Sequence, residues 1–150
     1  MPTKEQSLSS VQRLIGYNFT NQDLLWLGLQ AAGSGIGGTD GNKRLAMIGD
    51  SVMRAVLITD LFHRGLERGR ISDVVARIVS NDNLAENCIS TGISAYINKN
   101  PSQRGETPPK TRAATMEAIL GAIYLDCDEG LSSVRATMSI LGLENAPGFD

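Results

Sequence analysis

Residues 43–63 constrain the fold most, because their apolar side chains would cover more than one face of a helix. These side chains are Leu45, Met47, Ile48, Val52, Val56, Leu57, Leu61 and Phe62. A helix of this length is roughly 30 Å long at 1.5 Å per residue. A helix that is apolar on several faces is usually surrounded by other elements. The pattern therefore predicts a central helix from about Lys43 to His63.

The rest of the chain also follows helical rather than strand periodicity. Two helices are predicted between Val11 and Leu29, the second with Asn21 as its N-cap, and a glycine-rich loop is predicted over 31–42. Further helices are predicted from a cap at Ser72 or Asp73, over 81–93, over the nearly all-apolar 111–125, and over 131–141. No segment alternates like a strand, so the predicted fold class is all-α.

Length and composition fit one globular domain. The chain has 150 residues, of which 41% are hydrophobic and 20% charged, typical of a folded soluble domain. We predict a flexible N-terminal tail over 1–10, a domain over 11–143 and a C-terminal tail over 144–150. No apolar run approaches the roughly 18 residues of a membrane span. Cys88 and Cys127 show no disulfide or metal spacing, which favours an intracellular protein; cytoplasm, nucleus and mitochondrion stay open.

Two carboxylates within the apolar helices are the candidates for chemistry. Asp50 shares a helix face with Ala46, and Glu117 shares one with Ala114. If the two helices pack against each other, both carboxylates can point into one polar pocket. A buried carboxylate is costly unless it is paired, hydrogen-bonded or metal-bound. From the residues alone, the alternative is that each carboxylate only satisfies a backbone group or a basic neighbour such as Lys43, Arg44 or Arg112.

Four segments, in order and with matching spacing, resemble the ribonuclease III catalytic domain family. Asn42-Lys43-Arg44-Leu45-Ala46-Met47-Ile48-Gly49-Asp50 is similar to the family's Asn-Glu-Arg-Leu-Glu-Phe-Leu-Gly-Asp. The run from Ala113 to Asp126 is similar to Ala-Asp-X-X-Glu-Ala-Leu-Ile-Gly-Ala-Ile-Tyr-Leu-Asp. Two shorter segments, Ile15 to Asn21 and Val79 to Ala85, match the family's Leu-Gly-Tyr-X-Phe-X-Asn and Val-Ser-Asn-X-X-Leu-Ala. The resemblance implies a ribonuclease III endonuclease domain, a dimeric helical bundle, in the minimal form without a double-stranded-RNA-binding domain.

The resemblance also implies a degenerate metal site. Asp50 and Glu117 fall on two of the family's four catalytic, metal-binding carboxylates, whereas Ala46 and Ala114 fall on the other two. Lys43 replaces a further acidic residue; either its ammonium neutralises Asp50 and Glu117 in place of a metal ion, or Lys43 is simply a solvated residue of the first helical turn. Removing two carboxylates lowers the affinity for Mg²⁺ or Mn²⁺, so metal binding is expected to be weak or absent.

The implied substrate is double-stranded RNA and the implied assembly is a homodimer. The net charge of −2 requires any RNA contact to come from a local, salt-sensitive basic patch; the candidates are Arg54, Arg77, Arg104 and Lys110. Met47 replaces the phenylalanine that the family inserts into its partner subunit, and methionine can fill such a socket more loosely.

Three functions stay open at this point. The first is a duplex-RNA-binding protein whose hydrolysis is weak or lost because of Ala46 and Ala114. The second is a competent, non-standard endoribonuclease that uses Asp50 and Glu117 alone. The third is a non-catalytic scaffold in a ribonucleoprotein such as a mitochondrial ribosome.

Overall fold

A computed structural model describes residues 1–144 of the chain. Seven α-helices lie within this range: α1 (Lys4–Ile15), α2 (Gln22–Gly28), α3 (Lys43–His63), α4 (Arg68–Ile78), α5 (Asn81–Ser90), α6 (Pro109–Asp126) and α7 (Ser132–Leu141). A short 3-10 helix spans Ile93–Tyr96. The described part of the chain contains no strand, only one isolated parallel bridge between Gln30 and Asn98. The predicted all-α class is confirmed.

The helix at the centre of the domain is α6, which contacts α2, α3, α5 and α7. Its buried residues include Ala113, Met116, Ile119 and Ile123 and lie on every face of the helix. We expected α3 to be the central helix, but it buries only one side, with Met53 fully enclosed. Its opposite side exposes Met47, Ile58 and Phe62, because no described element covers that face.

Helix α1 corrects the predicted N-terminal tail. Residues 4–10 are not a loose segment but the first turns of a helix capped by Thr3, whose hydroxyl accepts from the Gln6 amide while the Gln6 side chain accepts from the Thr3 amide. This reciprocal pair is a capping box. The proposed domain boundaries themselves stay predictions, and most of the predicted C-terminal tail, 145–150, lies outside the described residues.

Other helix boundaries agree with the sequence except at α4, α5 and α6. Helix α3 has the predicted limits, and Asn21 caps α2 through a hydrogen bond to the amide of Asp23. Helix α4 begins at Arg68, a turn before the predicted caps. Helix α5 ends at Ser90, before the left-handed Gly92. Helix α6 starts at Pro109, since proline suits the first helical position.

A polar anchor joins the segment between α1 and α2 to the end of α6. Asp126, at the end of α6, accepts hydrogen bonds from the Tyr17 hydroxyl at 2.6 Å and from the amides of Thr20 at 2.9 Å and Asn21 at 2.8 Å. Burial by itself would raise the pKa of Asp126, but these hydrogen bonds lower it overall. The anchor fixes the start of α2 against α6.

No helix within residues 1–144 is both long enough and apolar enough to cross a membrane.

Candidate active site

Two glycines bring α3 and α6 into direct backbone contact. A Cβ added at Gly49 would overlap the carbonyl oxygen of Glu117 and lie 3.0 Å from its Cα. A Cβ added at Gly121 would overlap the carbonyl oxygen of Leu45 and lie 3.0 Å from the Gly49 amide nitrogen. Only glycine allows this approach. Because Asp50 adjoins Gly49 in the chain and Glu117 lies at the same crossing, the two carboxylates meet there.

Asp50, Glu117 and Arg54 form one charged cluster at this crossing. The Arg54 Nε donates to both carboxylate oxygens of Asp50, each at 3.1 Å. Glu117 shares a side-chain hydrogen bond with Asp50. Burial, together with the Asp50 charge and this hydrogen bond, raises the pKa of Glu117 to about 7, while Arg54 acts in the opposite direction. Near neutral pH Glu117 is therefore partly protonated, and Asp50 is paired with the Arg54 cation.

This donor set does not fit a preformed magnesium site. Mg²⁺ is bound through carboxylates and keeps near-octahedral oxygen coordination. Here both Asp50 oxygens accept from Arg54, Glu117 is partly protonated, and Ala46 and Ala114 offer only methyl groups. Within residues 1–144 no group of three or more His, Cys, Asp or Glu side chains could hold a metal ion.

Lys43 is not the cation that pairs directly with Asp50. Within the described range it forms no ion pair with Asp50 or Glu117; the cation on Asp50 is Arg54. Sequence reasoning assigned Arg54 to RNA and missed this pair, although an Asp four residues before an Arg on one helix is a standard signal for it. Lys43 instead lines a cavity of about 240 Å³, together with Lys110.

The remaining predicted site residues lie at separate places. Arg77 is in the last turn of α4, in the wall of a larger cavity whose other charged residues are acidic. Arg104 is exposed in the loop before α6, and Lys110 is in the first turn of α6. Met47 is 73% exposed on the outer side of α3. The structure thus brings together Asp50 with Glu117, and Lys43 with Lys110, whereas the predicted RNA contacts, which stay predictions, lie on different elements.

Known proteins share this sequence pattern and this fold. The family profile described as Ribonuclease III domain matches residues 43–128. Ribonuclease 3 from Coxiella burnetii is 32% identical over 133 residues, which make up 85% of this chain and 55% of that protein. Ribonuclease 3 from Vibrio atlanticus is 33% identical over 129 residues, 81% of this chain and 55% of that protein. The chain spans about half the length of the curated relatives it matches.

Solved structures give the same fold. The nuclease domain of ribonuclease III from Campylobacter jejuni superposes with a TM-score of 0.80 at 24% identity, covering 100% of both chains. A second structure of that domain is described as showing structural flexibility in the region involved in dimer formation. It superposes with a TM-score of 0.75, and the alignment covers 93% of this chain and 94% of the Campylobacter jejuni chain. Because the family profile covers more than half of the chain and the folds agree, this chain belongs to the ribonuclease III domain family.

Proposed function

We propose that this chain is a homodimeric, duplex-RNA-binding member of the family in which phosphodiester hydrolysis is weak or lost. The observation that supports it most is the Asp50 carboxylate, whose two oxygens both accept from the Arg54 Nε at 3.1 Å. The positions that would supply two further carboxylates are Ala46 and Ala114. In this proposal the pairing with Arg54 takes up the Asp50 carboxylate that a catalytic cation would otherwise use.

Charge is the physical basis for weak hydrolysis. Family members use divalent metal ions, which activate water and stabilise the leaving group. The attraction for such an ion comes mainly from anionic ligands. Arg54 neutralises Asp50, and Glu117 with its pKa of about 7 is only partly ionised at neutral pH. The cluster therefore has little net negative charge with which to recruit Mg²⁺ or Mn²⁺.

The outer side of α3 supports a homodimer. Met47, Ile58 and Phe62 are 73%, 45% and 69% exposed, and their spacing of 11 and 4 residues places them on one helical face. Large apolar side chains grouped in this way typically mark an interaction surface. The Campylobacter jejuni nuclease domain, with the same fold, has a region involved in dimer formation. A second copy of this chain is the occupant that these observations favour.

The proposal is tested by measuring cleavage and binding of a labelled RNA duplex. A duplex of ~30 base pairs is long enough for both subunits of a dimer to bind. The chain is assayed with Mg²⁺, with Mn²⁺ and with chelator, beside Glu117→Gln and the restored variant Ala46→Glu/Ala114→Asp. We expect salt-sensitive binding by the wild-type chain, little cleavage, and metal-dependent cleavage only in the restored variant. Metal-dependent cleavage by the wild-type chain that Glu117→Gln abolishes would contradict the proposal and favour an enzyme with two carboxylates.

Two further outcomes separate the remaining functions. Binding without cleavage in any variant would favour a scaffold role within a ribonucleoprotein. No binding to the duplex at any salt concentration would contradict the RNA part of the proposal. Sedimentation of the wild-type chain beside Met47→Glu tests the dimer, which the charged side chain should dissociate.

A further inference from the structure

The Arg54–Asp50 ion pair lies inside the exposed stripe of α3 that is proposed to bind a second copy of the chain. The stripe consists of residues at successive spacings of three, four, four and four, namely Met47, Asp50, Arg54, Ile58 and Phe62. Side chains three or four residues apart in a helix lie on one face. At about 1.5 Å per residue the stripe is about 22 Å long. The ion pair therefore belongs to the self-association surface itself, with apolar side chains on both sides of it.

The charges of this pair make the stripe complementary to a second copy of itself. An isologous dimer places the same patch of both chains face to face. When its two-fold axis passes between Asp50 and Arg54, perpendicular to α3, the facing stripe runs in the opposite direction. The carboxylate of each chain then faces the guanidinium of the other, and such complementary charges favour the correct partner and register. A second copy is therefore the partner that the stripe fits.

In a single chain the outer side of the ion pair faces water. The side chains of Arg54 and Asp50 are 48% and 37% exposed. Water screens an exposed ion pair and solvates both ions when they separate, so a pair of this kind is weak. In a single chain, a divalent cation that competes for the Asp50 carboxylate therefore displaces Arg54 at little cost.

Covering the stripe changes this competition. As water is excluded, the attraction between the guanidinium and the carboxylate increases, because the local dielectric constant falls. A cation that took the Asp50 carboxylate would leave the Arg54 guanidinium covered and without a partner, and an unpaired buried charge is strongly unfavourable. Displacing Arg54 from Asp50 is therefore harder in the dimer than in separated chains.

We propose that self-association through this stripe and exclusion of divalent cations by Arg54 are linked, so that the dimer is the cation-excluding form of the cluster. The inference rests on the proposed homodimer and the proposed weak metal site, and it adds the regulation of one by the other. Linkage is reciprocal, so a cation that binds Asp50 weakens the dimer by the same factor. No covalent bond is made or broken, because Arg54 acts only by pairing with Asp50.

The test measures the affinity for Mn²⁺ in dimers and in separated chains, from the electron paramagnetic resonance signal of the free ion. The wild-type chain is studied above and below the concentration at which sedimentation shows that it dissociates, so no substitution is required. Phe62→Asn, which adds no charge, supplies separated chains at higher concentration. We expect separated chains to bind Mn²⁺ about 10-fold more tightly than dimers, within the roughly 5–150-fold range of typical couplings. Mn²⁺ should raise the dissociation constant of the dimer by the same factor.

Three variants test whether Arg54 is the link. Arg54→Ser should bind Mn²⁺ with the same affinity in dimers and in separated chains. Arg54→Lys, which keeps a cation beside Asp50, should retain a difference between the two forms. Arg135→Ser is the matched control, because it breaks the half-exposed ion pair with Asp60, which lies outside the stripe, and it should behave like the wild type. Thermal melts confirm that the variants are folded.

The possible outcomes separate the linkage from the function on which it rests. Equal Mn²⁺ affinities of wild-type dimers and separated chains would overturn the linkage and leave the proposed function standing. A difference that persists in Arg54→Ser would overturn the assignment of the link to Arg54. A wild-type chain that stays monomeric at every concentration, or a wild-type dimer that binds Mn²⁺ tightly, would refute the proposed function and the linkage with it.

Discussion

Replacing Gly49 with alanine tests whether the glycine crossing holds α3 and α6 together. The new methyl group would overlap the Glu117 carbonyl oxygen, which is backbone and cannot rotate away. The helices must therefore separate. A void of about 125–200 Å³ along the crossing would cost about 3–5 kcal/mol, at about 24 cal/mol per Å³. The higher helix propensity of alanine relative to glycine offsets about 1 kcal/mol of this destabilisation. The expected net loss is about 2–4 kcal/mol.

Gly69→Ala is the matched control, since Gly69 lies in α4 and its added Cβ meets no atom within 4 Å. The same chemical change there should stabilise the domain by about 1 kcal/mol. Urea unfolding followed by far-ultraviolet circular dichroism measures both variants, and opposite signs are expected. The melting temperature of Gly49→Ala should fall by about 5–15 °C for a chain of this size. Equal effects of the two substitutions would refute the backbone contact as the reason for glycine at position 49.

Three further predictions concern the charged groups. Asp126→Ala, which removes three hydrogen bonds, should destabilise the domain by about 2–3 kcal/mol, whereas the control Asp128→Asn should not. Because the pKa of Asp126 is lowered in the folded chain, the contribution of its carboxylate to the free energy of unfolding is complete above about pH 3.9. This contribution should be lost below that pH, which acid unfolding measures. Between about pH 4.5 and pH 7, Glu117 is protonated in the folded chain, where its pKa is about 7, but ionised in the unfolded chain, so the free energy of unfolding of the wild type should fall as the pH rises through this range. In urea melts, the free energy of unfolding of Glu117→Gln should therefore exceed that of the wild type by more at pH 8 than at pH 5. A difference that does not change with pH would contradict this. Arg54→Gln should raise the pKa of Glu117 above about 7 in a carbon-13 NMR titration, while Arg44→Gln leaves it in place; an unchanged value in Arg54→Gln would mean that the ion pair does not act on Glu117.

Periodicity and local signals could predict the helices but not how completely each would be covered. The limits of α3 followed from its apolar run, and the Asn21 cap followed from residue type. Apolar content gave no way to see that α6 is enclosed on all sides while α3 exposes Met47, because coverage depends on tertiary neighbours. The first turns of α1, which we predicted as a tail, had a local signal in the Thr3–Gln6 capping box that polar composition concealed.

The candidate site was predictable in its members but not in its pairing. Residue spacing placed Asp50 and Glu117 on facing helices, and the glycines that allow the contact were visible as residues of the matched segments. The partner of Asp50 was not assigned correctly, because attention went to Lys43, seven residues before Asp50, and not to Arg54, which lies four residues after it on the same helix face. The cavity shared by Lys43 and Lys110 joins residues far apart in the chain, which no local pattern reports.

The contact between α3 and α6 also affects how the chain folds during its synthesis. Helix α3 ends at residue 63 and α6 ends at residue 126, so the crossing cannot close until 63 further residues have been added. At about 5–20 residues per second, ribosomes need about 3 to 13 s for that length. During this interval α4 is the only later helix available to pack on α3, whose extensive contact with α6 is still missing. Folding of this helical protein therefore depends on non-local contacts, which slow folding relative to bundles of sequential neighbours, and its nascent chain exposes an apolar helix for seconds.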